Sequence, residues 1–507
     1  MRNRRRSLFC LGLAAVGLSL LTACTGVTVK PLAEGTQGVL PGTKPPVTAE
    51  QPAARRSTVL ATGHDRASRG VIASGGPKAP YNYAPSIMAT GGGYRMWWCS
   101  QLPGVPRPGD QILYATANSP DGPFTGPDGA PADEVFGNSP HGFDGLHTCD
   151  PSVIEVDGTF YLYYTGTADP AGNGNAIGLA TSSDGVHWTR ADGGAPIVSE
   201  AGDLHDHLYG AGQPSALYLD GWFYLMFTDT TGAETSDGAG QFVLRSADPT
   251  FQRGVQALGQ NGFAAVPSAT TARLRSVLDA TTSDWMWVDA LNAFAVAAGA
   301  PNGTTITFWD ADFTYHPYQA IFLPGAETEG PGLVRRPDGH APVAATDPCG
   351  RVPLDVVRPT TKGAGPDDLA HVGVDVTGLH ACDQPAQALT LLDGFAIPAP
   401  DRTIDLVVNG KLVEVERRSV ALALAAGMDD GPPASITALP VVAHLTAGAT
   451  AVSAPNRAVG MLLDDGKLWV VGSPAIARAN SSQVTTVLTA RWDAYPRGGA
   501  DLSALRP

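Results

Sequence analysis

The chain of 507 residues is poor in charged side chains, and its acids outnumber its bases. Only 16% of the residues are charged, against roughly 25% in an average soluble domain, and the formal net charge is −15. Outside the first six residues there is no run of Lys and Arg. Because nucleic acid is bound mainly through Lys and Arg at its phosphates, neither DNA nor RNA is expected as a partner.

Long apolar runs are scarce as well. Beyond the N-terminal leader, no stretch reaches the roughly 20 apolar residues that a transmembrane helix needs. Glycine (60 residues) and proline (42 residues) are abundant, and nine Trp, thirteen Tyr and fifteen Phe require a core in which to be buried. This composition favours many short strands joined by turns, and it excludes disorder along the whole chain.

Residues 1–23 have the pattern of an export signal. Arginines at positions 2 and 4–6 precede an apolar run from Leu8 to Leu21, and the sequence Leu-Thr-Ala-Cys ends at Cys24. This pattern resembles a bacterial lipoprotein signal, which implies cleavage before Cys24 and attachment of lipid to its thiol. A plain secretory signal with an incidental cysteine is the alternative. Residues 24–57, rich in Pro, Gly and Thr, are predicted to be a linker.

The leader also sets the expected location and the expected state of the other cysteines. A lipid-anchored protein of the cell envelope is expected, on the outer membrane, the periplasmic face or the cell surface, and its oligomeric state stays open. After Cys24 the cysteines are Cys99, Cys149, Cys349 and Cys382. An even number in an exported protein predicts two disulfides. Proximity in sequence favours pairing Cys99 with Cys149 and Cys349 with Cys382, although three pairings are possible, and none of the spacings is typical of a metal site.

An internal repeat organises residues 58–345. Three segments, 84–87 (Ala-Pro-Ser-Ile), 150–153 (Asp-Pro-Ser-Val) and 213–216 (Gln-Pro-Ser-Ala), each precede an aromatic-rich strand, and their prolines recur about every 65 residues. Weaker copies lie around Trp285 and Pro331, and Asp-Gly turns follow in several copies. Such units cannot bury both faces alone, and stacking them radially gives a propeller. The sequence therefore predicts an all-β fold, a five-bladed β-propeller; the alternative, a β-sandwich or jelly roll, does not repeat such a unit.

Residues 346–507 lack the repeat and are predicted to form an additional C-terminal β-rich segment. Hairpins are indicated at Asn409-Gly410 and at Asp465-Gly466. Cys349 and Cys382 enclose what reads as a Pro- and Gly-rich loop. The last hairpin, at 458–471, resembles a pair of blade strands, which leaves open that the end of the chain returns to complete the fifth blade.

The second repeat carries a resemblance to a known family. Asp150-Pro151-Ser152, the strand at 161–164 (Tyr-Leu-Tyr-Tyr) and the segment 180–188 (Ala-Thr-Ser-Ser-Asp-Gly-Val-His-Trp) resemble the five-bladed propeller glycosidases of the arabinanase and β-xylosidase kind, similar to glycoside hydrolase family 43. The resemblance implies a carbohydrate substrate, a pentofuranoside, xyloside or related glycan. It also implies an axial funnel in which the first three blades present a general base, an orienting Asp and a general acid.

The family positions are only partly matched. Asp150 falls on the position of the orienting Asp, but the first-blade position holds Ala84 and the third-blade position holds Gln213, and neither can transfer a proton. Because glycoside cleavage takes two carboxyl groups, Asp65, Asp144 and Glu329 join Asp150 as candidate catalytic residues. The expected substrate-binding residues are His147, Gln213, His205, His207, Trp98, Trp287 and Glu327.

Each candidate also has a structural alternative. The acids could cap turns or be solvated, and the Trp residues could fill the space between blades. No cofactor and no metal ligand are expected, although a structural Ca²⁺ in the funnel and metal binding by the cluster at 205–207 (His-Asp-His) stay open. Two classes of function fit: a surface-anchored glycosidase, indicated by the acids and His before the inner strands, or a glycan- or protein-binding propeller without catalytic acid and base, indicated by Ala84 and Gln213.

The lipid anchor is tested by Cys24→Ser. We expect this variant to lose its acyl label and its membrane association while it keeps the fold, because the thiol is the only attachment point that the signal offers. Metabolic labelling with a fatty acid and fractionation of cells measure both. Unchanged partitioning into membranes would contradict the lipoprotein signal.

Overall fold

A computed structural model describes residues 56–101, 109–202, 208–233, 240–361, 366–399 and 402–505. The leader, Cys24 and nearly all of the linker lie outside the described residues. The described helices are short, with eight residues in the longest, and none of them could cross a membrane. About half of the described residues before position 378 lie in the strands of five sheets.

The first four blades are antiparallel sheets in which consecutive strands pair. Blade 1 contains β2 (Asn82–Thr90), β3 (Gly93–Gln101), β4 (Asp110–Ala117) and β5 (Asp133–Phe136), and it is preceded by β1 (Ala61–Ala67). Blade 2 contains β6 (His147–Val156), β7 (Thr159–Thr167), β8 (Ala176–Ser182) and β9 (Thr189–Arg190). Blade 3 contains β10 (Ala211–Leu219), β11 (Trp222–Asp229), β12 (Gln241–Ser246), β13 (Gln256–Gly259) and β14 (Gly262–Ala265). Blade 4 contains β15 (Ser283–Val288), β16 (Ala293–Ala300), β17 (Gly303–Trp309) and β18 (Ile321–Pro324).

Blade 5 combines both ends of the propeller. It contains β19 (Gly332–Arg335), β20 (Arg351–Thr361) and β21 (Pro366–Thr377), and β1 pairs with β21 as its outermost strand. The innermost strands β2, β6, β10, β15 and β19 then pack in a closed ring, in which β19 pairs with β2 in parallel. The fold is therefore a five-bladed β-propeller.

The C-terminal boundary differs from the expectation. The expected border at residue 345 falls inside blade 5, and the hairpin at 458–471 does not complete that blade. Instead β1 completes blade 5 by pairing with β21. Its Arg66 forms ion pairs with Asp355 of β20 (Nε–Oδ1 2.6 Å) and with Asp375 of β21 (Nη1–Oδ1 2.7 Å). The segment between Cys349 and Cys382, which reads as a loop, holds the β20–β21 hairpin, because its prolines and glycines fall among β-branched residues.

Both favoured disulfides are present, Cys99–Cys149 and Cys349–Cys382, each with Cα atoms 5.2 Å apart. The first links β3 of blade 1 to β6 of blade 2, and the second brackets the β20–β21 hairpin. Closing a loop of 50 residues between Cys99 and Cys149 stabilises the fold by about 4 kcal/mol in the chain-entropy model.

The repeated Pro-Ser pairs explain how the blades are joined at the axis. In each case a side-chain oxygen of one blade accepts a hydrogen bond from a backbone N–H of the next blade. The bonds are Val153 N to Ser86 Oγ (3.0 Å), Ala216 N to Ser152 Oγ (2.9 Å), Trp285 N to Ser215 Oγ (3.3 Å) and Leu333 N to Asp284 Oδ2 (2.7 Å). The parallel pairing of β19 with β2 completes the circle. The recurring serine is therefore a blade-to-blade connector.

Arg335 lies at the centre of these connectors. Its guanidinium forms an ion pair with Asp284 (3.2 Å) and donates to the carbonyls of Ala216 and Trp285 (3.0 Å each). Its other terminal nitrogen donates to Ser86 Oγ (3.4 Å) and Ser152 Oγ (3.5 Å). Because these partners belong to blades 1 to 4 and Arg335 belongs to blade 5, one buried cation contacts all five blades.

The residues before the prolines form a second ring on the axis. Ala84, Asp150 and Gln213 have left-handed backbones, with φ of 45°, 48° and 52°, and each interrupts the register of its hairpin. Positive φ is uncommon for a side-chain-bearing residue, and a bulge re-aims the side chain that it carries. Thr282 and Gly330 complete this axial ring, whose five members line one narrow cavity.

Residues 385–505 form a C-terminal module made of two similar units, a duplication that the sequence reading missed. The first unit contains α1 (Pro385–Leu392), β22 (Ala396–Pro398), β23 (Ile404–Val408), β24 (Lys411–Val415), α2 (Arg418–Leu424), α3 (Ala434–Thr437) and β25 (Val441–Leu445). The second contains β26 (Ala451–Ala454), β27 (Arg457–Leu462), β28 (Leu468–Gly472), α4 (Pro474–Ala479), β29 (Val484–Thr486), α5 (Thr489–Asp493) and β30 (Arg497–Asp501). Each has two antiparallel pairings followed by a parallel one. Both begin with Ala-x-x-Ala-Pro-(Asp/Asn)-Arg, at 396–402 and 451–457.

The first unit packs on both sides. Val407 and Leu412 share a core with Met286 and Leu354 of blades 4 and 5, whereas Leu406 on the opposite face shares a core with the second unit. Neighbouring residues of a strand point to opposite faces, which is how β23 serves two cores.

The axial arginine is tested by Arg335→Met. Removing the cation leaves the buried Asp284 carboxylate unpaired, so we expect a loss of about 3–5 kcal/mol in the free energy of unfolding. Arg253→Met is the control, because the Arg253–Asp248 pair (3.3 Å) has an exposed arginine and is expected to contribute less than about 1 kcal/mol. Guanidinium unfolding measures both; equal losses would contradict the central role of Arg335.

Candidate functional site

Two adjoining cavities open at the axial ring. The narrow one, of about 30 Å³, is lined by the five ring residues together with Asp284 and Glu329. The wider one, of about 280 Å³, shares Asp150, Gln213 and Glu329 with it and extends over the first strands of blades 1 and 2. The wider cavity is close to the lower end of the range found for small-molecule sites, roughly 300 Å³. We call the two together the axial site.

Asp150 connects both cavities. It follows Cys149, so the disulfide to Cys99 and the bulge before Pro151 fix its backbone. Burial raises the pKa of its carboxyl to about 7, and the charges of Glu329 and Asp110 add to this rise. The hydroxyls of Thr165 and Tyr209 beside the carboxyl oppose the rise. Asp150 is thus a carboxyl group that keeps its proton in a large part of the molecules at neutral pH.

Glu329 faces the same space from blade 5. Its Oε2 accepts a hydrogen bond of 2.8 Å from the hydroxyl of Tyr81, which comes from the segment before β2. The pKa of Glu329 is raised above its ordinary value, mainly by burial and also by the charge of Asp110, and the Tyr81 hydrogen bond opposes this rise. Burial and the bond to Glu329 also raise the pKa of Tyr81, so this hydroxyl stays a donor. Tyr81 therefore favours the ionised form of Glu329.

Asp110 and His147 form the opposite wall. Each is the first residue of an inner or middle strand, β4 and β6, and His147 Nδ1 lies 2.8 Å from Asp110 Oδ2. Both residues line the wider cavity.

Gln213 and Thr165 complete the described polar lining. The backbone N–H of Gln213 donates to Thr165 Oγ1 at 2.7 Å, which holds the axial-ring residue of blade 3 against β7 of blade 2. The side-chain oxygen of Gln213 is buried and has no hydrogen-bond partner among the described residues. An unpaired buried acceptor of this kind, in a cavity, is a site for a ligand hydroxyl.

The charge of the site is of one sign. Its described lining residues include four acids, Asp110, Asp150, Asp284 and Glu329, and contain no Lys or Arg. The charge of Asp284 is balanced by Arg335, at a distance of 3.2 Å. The remaining three acids repel one another through a partly desolvated space, which is the condition that separates pKa values of neighbouring carboxyl groups.

The described residues offer one close group of possible metal ligands. The one group of three that lies close together consists of Cys99, Cys149 and Asp150. Its two sulfurs form a disulfide and are not thiolates, so this group does not fit a metal ion.

Of the predicted site residues, four line the axial site and five do not. Those in the site are Asp150, Glu329, His147 and Gln213. Those elsewhere are Asp65, Asp144, Glu327, Trp98 and Trp287. His205 and His207 lie outside the described residues.

The displaced acids have other roles. Asp144 is fully buried in an ion pair with Arg190 (2.7 Å) and accepts a hydrogen bond from Tyr164 (3.1 Å), so it supports blade 2. Asp65 is exposed on β1, the strand of blade 5 farthest from the axis. Glu327 accepts a hydrogen bond from Thr304 in blade 4. The assignments of Asp65 and Asp144 as catalytic acids and of Glu327 as a substrate contact are therefore wrong.

The tryptophans are core residues. Trp98 is fully buried in blade 1 and donates to Asn82 Oδ1 at 2.8 Å. Trp287 packs on Phe294, with ring centroids 4.9 Å apart, between blades 3 and 4. Their predicted stacking on sugar rings is wrong, because alternation along the strand turns both side chains into the sheet packing.

Sequence reasoning missed Asp110, Tyr81, Tyr83, Thr165 and Tyr209. The tyrosines at 81 and 83 immediately precede the bulge at Ala84, a position that could have marked them as neighbours of the axis. Asp110 follows Gly109 at the start of a long apolar strand, a weaker signal of the same kind.

Asp150→Asn tests the electrostatics of the axial site through stability. The folded-state pKa of about 7 exceeds the unfolded value of roughly 3.9, so the stability that Asp150 contributes is complete below about pH 4 and is lost as the pH rises to 7. Asparagine stays neutral and tolerates positive φ. We therefore expect the variant to be more stable than the wild type at pH 8, by a few kcal/mol at most, with a much smaller difference at pH 4.

Thermal unfolding over this pH range measures that difference. Asp157→Asn, at the exposed turn between β6 and β7, is the matched control and should show no such trend. A pH-independent difference between Asp150→Asn and the wild type would show that the Asp150 carboxyl is ionised in the fold.

Known proteins were compared with the whole chain. No protein-family model and no curated protein matches it. Several solved structures are similar to it over part of its length. A family 117 glycoside hydrolase from the marine bacterium Zobellia galactanivorans is 14% identical and covers 63% of this chain and 92% of its own, with a TM-score of 0.42. A glycosyl hydrolase from Bacteroides ovatus is 12% identical (62% and 96% covered, TM-score 0.40). The α-L-arabinofuranosidase of Podospora anserina, solved with cellotriose, is also 12% identical (64% and 99% covered, TM-score 0.38).

Proposed function

We propose that this protein is a glycoside hydrolase that cleaves a glycan in the axial site, with Asp150 as the proton donor and Glu329 as the partner carboxylate. The observation that carries this proposal is the pair itself. One carboxyl group has a pKa of about 7, and a second one in the same cavity has its ionised form favoured by Tyr81. Carboxyl groups whose environments differ in this way take different roles in glycoside cleavage, one as the proton donor and the other as a carboxylate that faces the reacting sugar.

The chemistry follows from these protonation states. Protonated Asp150 transfers its proton to the glycosidic oxygen as the bond to the anomeric carbon breaks. The positive charge that develops on the sugar ring is stabilised by the Glu329 carboxylate, since the attraction between them is strong in a partly desolvated cavity. The narrow cavity, at about 30 Å³, is too small for a sugar ring, which leaves the wider cavity of about 280 Å³ as the place for the sugar.

The proposed acid and its partner carboxylate differ from the acid and base of the resembled family. Two of its three positions are occupied by Ala84 and Gln213, which do not ionise. Glu329 enters from blade 5, directly before Gly330 of the axial ring, and so reaches the same space from another side. The substrate proposed is a pentofuranoside, xyloside or related glycan, met at the cell envelope to which the Cys24 signal directs the protein.

A second candidate function is glycan or protein binding without turnover. Ala84 and Gln213 favour it, because both lie at axial positions where a hydrolase of the resembled kind has an acid or a base. Under this alternative the raised pKa of Asp150 has no catalytic use, and hydrolysis would be undetectable for every substrate that binds.

Asp150→Asn and Glu329→Gln test the hydrolase. We expect each to lower kcat by at least about 100-fold, a loss of roughly 2.7 kcal/mol in transition-state stabilisation. Asp150→Asn should spare aryl glycosides with acidic leaving groups far more than natural glycans, because those aglycones depart without protonation. Glu329→Gln should impair both kinds of substrate.

The measurement begins with a screen of the lipid-free protein against aryl glycosides and plant and bacterial glycans. Activity of the wild type should fall above about pH 7, as Asp150 loses its proton. Asp157→Asn serves again as the control with unchanged activity. Full activity of Asp150→Asn on the best natural substrate would remove the hydrolase in this form, and glycan binding without turnover by the wild type would favour the binding function.

A further inference from the structure

The Asp110–His147 pair is not used by the proposed pair of carboxyl groups. It joins two blades, since Asp110 begins β4 of blade 1 and His147 begins β6 of blade 2. The Nδ1–Oδ2 distance is 2.8 Å, and the two side chains are only 20% and 13% exposed. Both residues line the 280 Å³ cavity together with Asp150 and Glu329.

The contact fixes which nitrogen of His147 carries the proton. A carboxylate oxygen only accepts, so Nδ1 donates to Asp110 Oδ2, and the neutral ring then has its lone pair on Nε2. The backbone N–H of Asp110 also points at Nδ1 as a donor, at 3.3 Å, but the contact with the carboxylate is the shorter of the two and decides the tautomer. Within the described part of the chain, His147 Nε2 and Asp110 Oδ1 are buried and have no hydrogen-bond partner. A histidine that lines a cavity, is held by a carboxylate and has its second nitrogen unpaired is arranged to accept a proton once substrate and water occupy the site.

The groups around His147 in the cavity are acids and tyrosines. Asp110, Asp150 and Glu329 supply the charges, and Tyr83 is buried beside them, with its pKa raised well above the usual value by burial and by these three carboxylates. Tyr83 therefore stays neutral. Asp110 is the one of these groups in contact with the imidazole, and its negative charge favours the imidazolium that forms when Nε2 takes up a proton.

We propose that His147 is the base that activates the hydrolytic water, and that Asp110 is its positioning residue. This role rests on the proposed glycoside hydrolysis. As the water oxygen bonds to the anomeric carbon, one water O–H bond breaks and its proton passes to His147 Nε2. The bond from the anomeric carbon to the glycosidic oxygen breaks, with its electron pair leaving on that oxygen, which takes the proton of Asp150. The imidazolium then returns a proton through solvent, and Asp150 regains one, so that no other reactant is needed.

The chain contains a matched pair for comparison. His187 Nδ1 lies 2.7 Å from Asp184 Oδ2, nearly the same contact, but the His187 side chain is 87% exposed in a turn of blade 2. Asp184 there accepts from the backbone N–H groups of Val186 and His187, as a turn-capping residue does. His187→Gln thus removes an imidazole–carboxylate contact that is not in the axial site.

The experiment compares His147→Gln, Asp110→Asn and His187→Gln on a substrate that the wild type hydrolyses. We expect His147→Gln to lower kcat by about 100-fold or more with little change in KM, as is typical for loss of a general base. The fall in activity above about pH 7 that Asp150 sets should remain in this variant. Asp110→Asn should lower kcat by about 10- to 100-fold, and His187→Gln should match the wild type.

Two further readouts separate catalysis from folding. Added imidazole should restore a part of the activity of His147→Gly, which a merely structural defect would not allow. Nitrogen NMR of the wild type labelled at histidine should find neutral His147 with its proton on Nδ1.

The possible failures are distinct. A wild type that hydrolyses none of the screened glycosides overturns the proposed function. A hydrolytic wild type whose His147→Gln variant keeps its kcat and pH profile overturns the role of His147 alone. A proton on Nε2 in the neutral ring overturns it as well.

Discussion

The buried guanidinium of Arg335 is the interaction on which the propeller depends. Five sheets around an axis leave inward-facing polar backbone groups that have to be paired, and water has little access to them. One planar cation with several donors satisfies carbonyls and hydroxyls from four blades at once, and Asp284 balances its charge. The three recurring serines can therefore accept N–H groups from neighbouring blades, which locks each blade to the next.

The chemistry of the axial site is built directly on this connector. The Pro-Ser pair of each repeat anchors the inner strand of its blade. The bulge then turns the residue before the proline toward the axis. A disulfide then holds Asp150 from its N-terminal side. The site thus takes its rigidity from the blade junctions. Blade 5 supplies both the central cation Arg335 and, six residues before it in sequence, Glu329.

The repeat made much of this arrangement predictable. Its period gives the number of blades, and its register brings Asp150 and Gln213 to the axis, because equivalent positions of a radial repeat must meet there. Asp110, Tyr81 and Tyr209 reach the site from segments outside the motif, where the sequence signals are weak. Arg335 looks like an ordinary surface arginine in sequence, and β1 is too short and too polar to indicate that it closes blade 5. The duplication in the C-terminal module is hidden because its two copies share few residues beyond the Ala-Pro-Arg pattern.

Closure of blade 5 by β1 has a consequence for the order of assembly. Arg66 and Asp375, which form part of the closing contact, are 309 residues apart in sequence. Blade 5 therefore lacks its outermost pairing until the chain has been made through β21, and a truncated chain that ends before Pro366 has no strand to which β1 can pair. Pairing over such a separation forms slowly, because a large loop has to close first. The exposed edge of β1 is meanwhile available to other chains, so assembly of this protein is most vulnerable to aggregation just before blade 5 is completed.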